Sequence, residues 1–527
     1  MKILILSWEY PPKNIGGISN HVFFISKALV KLNHEVHIVT CKDSVDKDYE
    51  NCEGVHVHRV KPYNIHTEDF TKWVMHLNYA MIEEGVKIAA STGNFDIIHA
   101  HDWLSAYSGR ALKWILRIPL VCTMHATEYG RNGGLRNEMQ NYISNTEKML
   151  IEESWKVVTC SRYMRKEVSD LFKTSWDKIW EIPNGVNTEQ FEFEFNKEEF
   201  RRKFANNNER IILFVGRHVY EKGIHILIDA AANIVKKYGG VKFIISGKGS
   251  MTEELKRRVR DYGLDEKIIF PGYVEDETRN KLFKISDVVV FPSIYEPFGI
   301  AALEAMAAGC PVIASDVGGL SELIQNRVNG LKFESGSKED LISNLIEVLD
   351  DKSLANYLAD GGMNTVSEKY SWRKAAELTV EMYSLIQKEA KNTEWIGAEE
   401  FKNISAKDEL VKFKETEKKF NNHIDNLTKE LVQKDNELEI MSDEYKKSRE
   451  QCEKELKSLA RELKKKDKLL KNYEKELNKI DSKETKKVGE ALTVEHSEEQ
   501  KPKKKRKAPA KKSSKKSENE KETVVEE

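Results

Sequence analysis

The sequence predicts an α/β protein made of two Rossmann-like domains, followed by a coiled coil and a disordered tail. Three observations lead there. Up to about residue 390, short apolar runs alternate with amphipathic stretches, the pattern of parallel α/β folding. The runs form two series, one on either side of residue 190. Beyond residue 400 the composition turns to Glu, Lys and Leu with few Gly or Pro. Domains are therefore expected at residues 1–190, 191–390, 400–480 and 481–527.

The first series of strands is Ile3–Leu6, Val36–Val39, Ile97–His99, Leu120–Thr123 and Val157–Thr159. The second is Ile211–Val215, Lys242–Ser246, Ile268–Phe270, Val288–Phe291 and Val312–Ala314. Ile182-Pro-Asn-Gly-Val186 supplies turn chemistry between them. Open α/β sheets hold their ligands beyond the carboxyl ends of strands, so the site is expected in a cleft between the two domains.

Between residues 408 and 480, Leu410, Ile424, Leu431, Leu438, Tyr445 and Cys452 share one heptad phase. Phe413, Phe420, Leu427 and Met441 share the other. Glu417, Lys434 and Ser448 interrupt these rows. The phase slips between Cys452 and Leu456, a stutter. It then resumes through Leu456, Leu463, Leu470 and Leu477, with Leu459, Tyr473 and Ile480. A lone charged helix can carry such a pattern, but its length favours a coiled coil and self-association. The tail from 481 lacks periodicity and reads as disordered. Its basic run, beginning Lys501-Pro-Lys-Lys-Lys-Arg-Lys507, resembles a nuclear-localisation signal, which requires a nucleus. A solvated or weakly polyanion-binding tail is the plainer reading, and anchoring to an acidic surface is the other.

The 527 residues exceed one core, and the net charge of −1 hides a charge-dense last third. Six scattered cysteines without a C-x-x-C pair argue against a disulfide framework and fit a reducing cytosol. The start, Met1-Lys-Ile-Leu-Ile-Leu-Ser, is too short for a signal peptide and reads as a first strand. No apolar run is long enough to span a bilayer. A cytoplasmic protein is expected.

The most informative stretch is Glu296-Pro-Phe-Gly-Ile-Ala-Ala-Leu-Glu304. Its two carboxylates flank a turn that opens a helix, and small or apolar residues between them let backbone N–H groups approach a ligand. Eight residues of helix advance about 12 Å, roughly the reach from sugar to ribose in a nucleotide-sugar. Free N–H groups at the helix start would meet the phosphates between. A cap at Glu296 and a surface residue at Glu304 would explain the same pair. Strand Ile211–Val215 runs into Gly216-Arg-His-Val-Tyr-Glu-Lys-Gly223. There Arg217 can bind a diphosphate bidentately and Lys222 can neutralise it as a point charge. Two exposed basic residues on a loop are the alternative. Ser246-Gly-Lys-Gly-Ser250 is another strand-end turn. Thr252 stands where a nicotinamide fingerprint has its third glycine, but Gly247 could still pack against a base or ribose.

After the first strand, Gly16 and Gly17 let backbone approach a phosphate, or simply turn. His99-Ala-His-Asp-Trp103 follows another strand. Its histidines and Asp102 find no further separated ligand set in the sequence, so no metal site is expected. His125 lies at a strand end before Gly130-Arg-Asn-Gly-Gly134, facing the expected cleft. A structural histidine is the competing reading.

Taken in order, these pieces resemble the retaining glycosyltransferases of family 4, which have the GT-B architecture. The resemblance spans residues 1 to about 390. Glu296 and Glu304 match that family's E-x7-E motif, Gly216-Arg217 with Lys222-Gly223 its diphosphate loop, and Gly16-Gly17 its N-terminal glycine loop. Trp8-Glu-Tyr-Pro-Pro, His99-Ala-His-Asp-Trp103 and Met124-His-Ala-Thr-Glu-Tyr-Gly130 look most like glycogen and starch synthases.

The resemblance implies that Glu296 contacts the transferred sugar and Glu304 the ribose hydroxyls. It implies that Phe298, Gly299 and Ile300 offer amides to the donor, and that Arg217 and Lys222 hold the diphosphate. His125 and Asp102 would line the sugar and acceptor side. No cofactor and no bound metal are implied. Starch-synthase-type chains carry a Lys directly before their Thr-Gly-Gly loop, whereas here Asn14 and Ile15 separate Lys13 from Gly16, which leaves both ADP-glucose and UDP-glucose as donors. The expected activity is glucosyl transfer to an α-1,4-glucan. A lipid-linked, surface-glycan or sugar-phosphate acceptor is the enzymatic alternative, and a coiled-coil scaffold with a secondary catalytic half is the non-enzymatic one.

Overall fold

The computed structural model describes residues 1–14, 16–42, 47–63, 67, 69–393 and 406–489. One sheet comprises Lys2–Ser7 (β1), Glu35–Cys41 (β2), Tyr49–Cys52 (β3), Val55–Val60 (β4), Ile97–His101 (β5), Leu120–Met124 (β6), Lys156–Thr159 (β7) and Ile179–Glu181 (β8). Its order is β3-β4-β2-β1-β5-β6-β7-β8. Only β3 runs antiparallel. The other comprises Arg210–Val215 (β9), Val241–Ser246 (β10), Ile268–Gly272 (β11), Val288–Phe291 (β12), Val312–Ser315 (β13) and Leu331–Phe333 (β14). Its order is β11-β10-β9-β12-β13-β14, all parallel.

Every expected strand is present, with ends within two residues of expectation. Four strands were not expected. β8 and β14 are three residues long, too short to show a period. β3 and β4 form the sheet edge, where Val55 and Val57 are buried and His56 and His58 partly covered. That polar alternation is weaker than the continuous apolar run of a strand covered on both faces.

Strand order reverses between β1 and β5 in the first sheet, and between β9 and β12 in the second. Chains leaving neighbouring strands at such a point diverge to opposite faces and open a crevice. The segments that leave these four strands carry Gly16, Asp102, Arg217 and Glu296.

The chain crosses between the lobes twice, and the two crossings touch. Val186 N donates to Tyr370 O at 3.1 Å. A Cβ on Gly185 would lie 2.3 Å from Trp372 N, so only glycine allows this approach. The last helix of this unit, Trp372–Lys391, is capped by Ser371, whose side chain accepts from Lys374 N. Its buried positions Trp372, Ala375, Ala376, Thr379, Met382, Tyr383 and Ile386 follow helical spacing. Trp372, Met382, Tyr383 and Ile386 share a core with Ile3, Ile5, Val22 and Val36 of the first sheet and its helix. The helix following the second sheet thus packs on the first.

Residues from Thr416 form a separate unit, described as far as residue 489 within a single helix, Ala406–Gly489. It passes residue 480, where disorder was expected to begin, because no Gly or Pro interrupts it before Gly489. Residues 400–405 of the expected coiled coil and 490–527 of the expected tail, Lys501–Lys507 included, lie outside the described residues. Leu431, Leu438, Met441, Tyr445, Leu456, Leu463, Leu470 and Tyr473 are exposed on it. Among the described residues no helix is long and apolar enough to cross a membrane.

Candidate active site

The exits of β9 and β12 are clamped together by backbone. Ile294 N and Tyr295 N donate to Glu221 O at 2.8 and 3.2 Å. Gly223 has φ +63, and a Cβ there would lie 1.8 Å from Pro292 O. The clamp sets Lys222 beside Glu296, with Nζ 2.7 Å from Oε2. Ser293 Oγ donates to the same oxygen at 3.2 Å. Arg217 stands farther out, its side chain half exposed and 3.4 Å from Glu221.

Gly299, at φ +104, turns the chain into the helix Ile300–Ala307 against Leu320. Glu304, one turn into that helix, is buried. Burial raises its pKa, and the guanidinium of Arg279, 3.2 Å away, opposes that. The carboxylates of the pair therefore hold different partners, Lys222 and Arg279. Gly247, at φ +135, packs on the Gly216–Gly223 loop, since a Cβ there would meet Gly216 O at 1.8 Å.

In the first lobe, Glu9 is buried and accepts from Gly16 N at 3.1 Å. The next residue, Gly17, faces the other lobe, where a Cβ would come within 3.3 Å of Ile300 Cδ1. The glycine loop and the Phe298–Ile300 turn thus meet across the cleft.

Asp102 has φ +56, uncommon for a residue with a Cβ. Its Oδ1 accepts from His125 N at 2.7 Å, and Arg131 lies 3.6 Å from Oδ2. Burial pushes the Asp102 carboxyl up to about 6, against the pull of Arg131. His125 Nε2 is 3.0 Å from His101 Nδ1. The rings of His21 and His125 meet in a T-shape, with 4.7 Å between centroids, and His21 Nδ1 bonds Asn184 Oδ1 at 2.6 Å. Burial lowers the pKa of all three histidines. They are neutral at pH 7.

The fold supplies a nitrogen set that the sequence did not display. Atoms of His21, His101 and His125 lie within 4.8 Å of one another. β5 beside β6 brings His101 to His125, and the helix Gly17–Lys31 adds His21. The His101–His125 hydrogen bond takes a nitrogen of each and Asn184 takes one of His21, so the cluster reads as a hydrogen-bonded network.

Residues 15–190 match the model for Glycosyltransferase Family 4, and residues 196–365 that for Glycosyl transferases group 1. The chain belongs to the family 4 glycosyltransferases. An uncharacterised glycosyltransferase of Methanocaldococcus jannaschii is 40% identical over 391 residues, covering 73% of this chain and 98% of the relative. The glycogen synthase of Mycobacterium tuberculosis is 32% identical over 397 residues, covering 73% and 94%. Sucrose-phosphate synthase from Thermosynechococcus elongatus shares the fold, with a TM-score of 0.64 at 24% identity over 73% of this chain and 98% of that one. The two-sheet architecture is GT-B.

Several residues at the cleft of this glycosyltransferase escaped sequence reasoning. Arg279 comes from the helix Asp276–Ile285 and has no motif around it. His21 lies mid-helix among apolar residues. Ser161 Oγ donates to Pro297 O at 2.6 Å, and Glu322 accepts from the amides of Arg162 and Tyr163 at 3.0 and 2.6 Å. These bonds join the lobes, and only the folded chain brings their partners together.

Proposed function

We propose that this glycosyltransferase moves a glucosyl unit from ADP- or UDP-glucose to the non-reducing end of an α-1,4-glucan, with retention and without a bound metal. The observation that carries this is the Lys222–Glu296 pair at the β9/β12 switch point, with Arg279-held Glu304 along the same segment. A carboxylate for the hexose, a cation for the phosphates and a carboxylate for the ribose follow in the order a nucleotide-sugar presents them.

The leaving diphosphate gains charge as the glycosidic bond breaks, so Lys222 and Arg217 act most strongly in the transition state. They supply the positive charge that other transferases take from a metal. Glu296 steadies the oxocarbenium-like carbon, and Phe298, Gly299 and Ile300 direct amides at the donor. Neutral His125 and buried Asp102 line the sugar and acceptor side. Front-face attack, with a leaving-phosphate oxygen taking the acceptor proton, fits a site with no distinct nucleophile. Lobe closure excludes water and with it wasteful hydrolysis.

The glucan assignment rests on the resemblance of the His99–Trp103 and Met124–Gly130 segments to glycogen and starch synthases, and on the similarity to a glycogen synthase. The long helix, with its exposed heptad residues, tethers copies of the enzyme and raises its local concentration on a polymer. The test is incubation with radiolabelled ADP-glucose or UDP-glucose and a panel of glucan, lipid and sugar-phosphate acceptors. Label is expected in glucan, and label confined to another acceptor would overturn the assignment.

A further inference from the structure

Tyr295 precedes Glu296 in the second lobe, but its side chain is seated in the first. Its hydroxyl donates to Glu167 Oε1 at 2.8 Å. Thr127 Oγ1 donates to the same oxygen at 2.6 Å, and Thr127 N approaches the Tyr295 hydroxyl at 3.4 Å. Tyr295 is 7% exposed, and its ring lies against Gly130, where an added Cβ would come within 2.4 Å of it. Met164 Sδ, 3.5 Å from the hydroxyl, closes the seat. At its other end, Tyr295 N is fixed to Glu221 O, beside Lys222.

We propose that Tyr295 is a positioning residue, a strut that sets the spacing between the His125 side of the cleft and the Glu296–Lys222 pair. Consecutive Cα atoms lie 3.8 Å apart, so displacement of the Tyr295 ring moves Glu296 with it. The seat at Thr127 and Gly130 begins two residues after His125. One side chain therefore links the group facing the hexose from one lobe with the carboxylate facing it from the other. A phenol suits this task. Burial and the neighbouring Glu167 raise its pKa well above the ordinary phenol value, so the hydroxyl keeps its proton for the bond to Glu167. Gly130 is part of the device, because any larger residue there evicts the ring.

The inference rests on the transfer reaction proposed above, and its test separates the two. Kinetics on the full chain would compare Tyr295→Phe, Tyr295→Ala, Gly130→Ala and the double variant, with amide hydrogen exchange over residues 125–132 measured alongside. Removing the hydroxyl alone should lower kcat roughly three- to tenfold, the worth of one buried hydrogen bond, with donor KM little changed. Gly130→Ala should cost about tenfold or more in kcat. In the Tyr295→Ala background it should cost less than twofold, because no ring remains to be displaced. A larger share of donor should also end as free sugar. Exchange at 125–132 should rise in Tyr295→Ala without a matching rise across β1 or β9. Additive effects, a Tyr295→Phe rate within twofold of the parent, or unchanged exchange would each overturn the strut. If the parent enzyme transfers from neither donor, the proposed reaction fails, and the exchange measurement alone then decides on the strut.

Discussion

Lys222 and Glu296 stand 74 positions apart in the chain and 2.7 Å apart in space. Neighbouring strands β9 and β12 bring them together, and the Glu221 carbonyl holds the two strand exits in register. An ammonium and a carboxylate this close neutralise each other, and on the proposed reaction a diphosphate would come to share the cation. On the proposed reaction, the ligand offers a hydroxyl-rich ring to Glu296 and phosphate oxygens to Lys222. Glu296→Gln and Lys222→Ala should each lower kcat by two orders of magnitude or more, as expected for contacts strongest in the transition state. Thermal melts should stay within a few degrees of the parent.

Arg279 and Glu304 make the deeper pair, with side chains 12% and 8% exposed. Arg279→Leu leaves a buried carboxylate without its counter-charge and should cost roughly 3–5 kcal/mol in urea unfolding. Arg279→Leu combined with Glu304→Leu should recover much of that stability. The double variant should still fail to bind nucleotide, because Glu304, the proposed ribose contact, is gone; calorimetry with ADP and UDP would read it.

Asp102 carries a pH signature. Its folded pKa of about 6 lies above its unfolded value of 3.8. Between these values the folded state binds the extra proton, so the contribution of Asp102 is greatest at acid pH and is lost as pH rises towards 6. Asp102→Asn removes this pH-dependent contribution. The stability of the parent relative to the variant should therefore fall from pH 4 to pH 6 and level off above, as measured by denaturant unfolding across that range.

The helix Ala406–Gly489 exposes Leu438 and Leu463 at 62% and 69%. If copies pair along this stripe, full-length enzyme should scatter light as an oligomer. Leu438→Lys with Leu463→Lys should then give a monomer whose turnover per site on short acceptors is unchanged. A parent protein of monomeric mass would remove the tethering role.

Much of this architecture was legible before folding. Runs such as Ile3–Leu6 and Val288–Phe291 are buried on both faces, so their apolar continuity survives in the sequence. The strand Val55–Val60, next to the sheet edge, and the three-residue strand Leu331–Phe333 leave no such trace. Gly16, Gly17, Arg217, Lys222, Glu296 and Glu304 stand out in the sequence because each belongs to a short local motif at a strand end. Arg279, Glu322 and Tyr295 matter through partners more than a hundred positions away, or through a helix with no motif of its own. Their roles rest on tertiary contact, which has no local signature. The histidine network shows the same limit, since His101 and Asp102 were visible as a cluster and His21 was not.

The most direct test is a crystal structure of the enzyme with ADP-glucose or UDP-glucose bound. The hexose should lie against Glu296, the diphosphate against Lys222 and Arg217, and the ribose hydroxyls on Glu304. A donor bound away from the β9 and β12 exits, or lying with its ribose at Glu296 and its hexose at Glu304, would contradict the account.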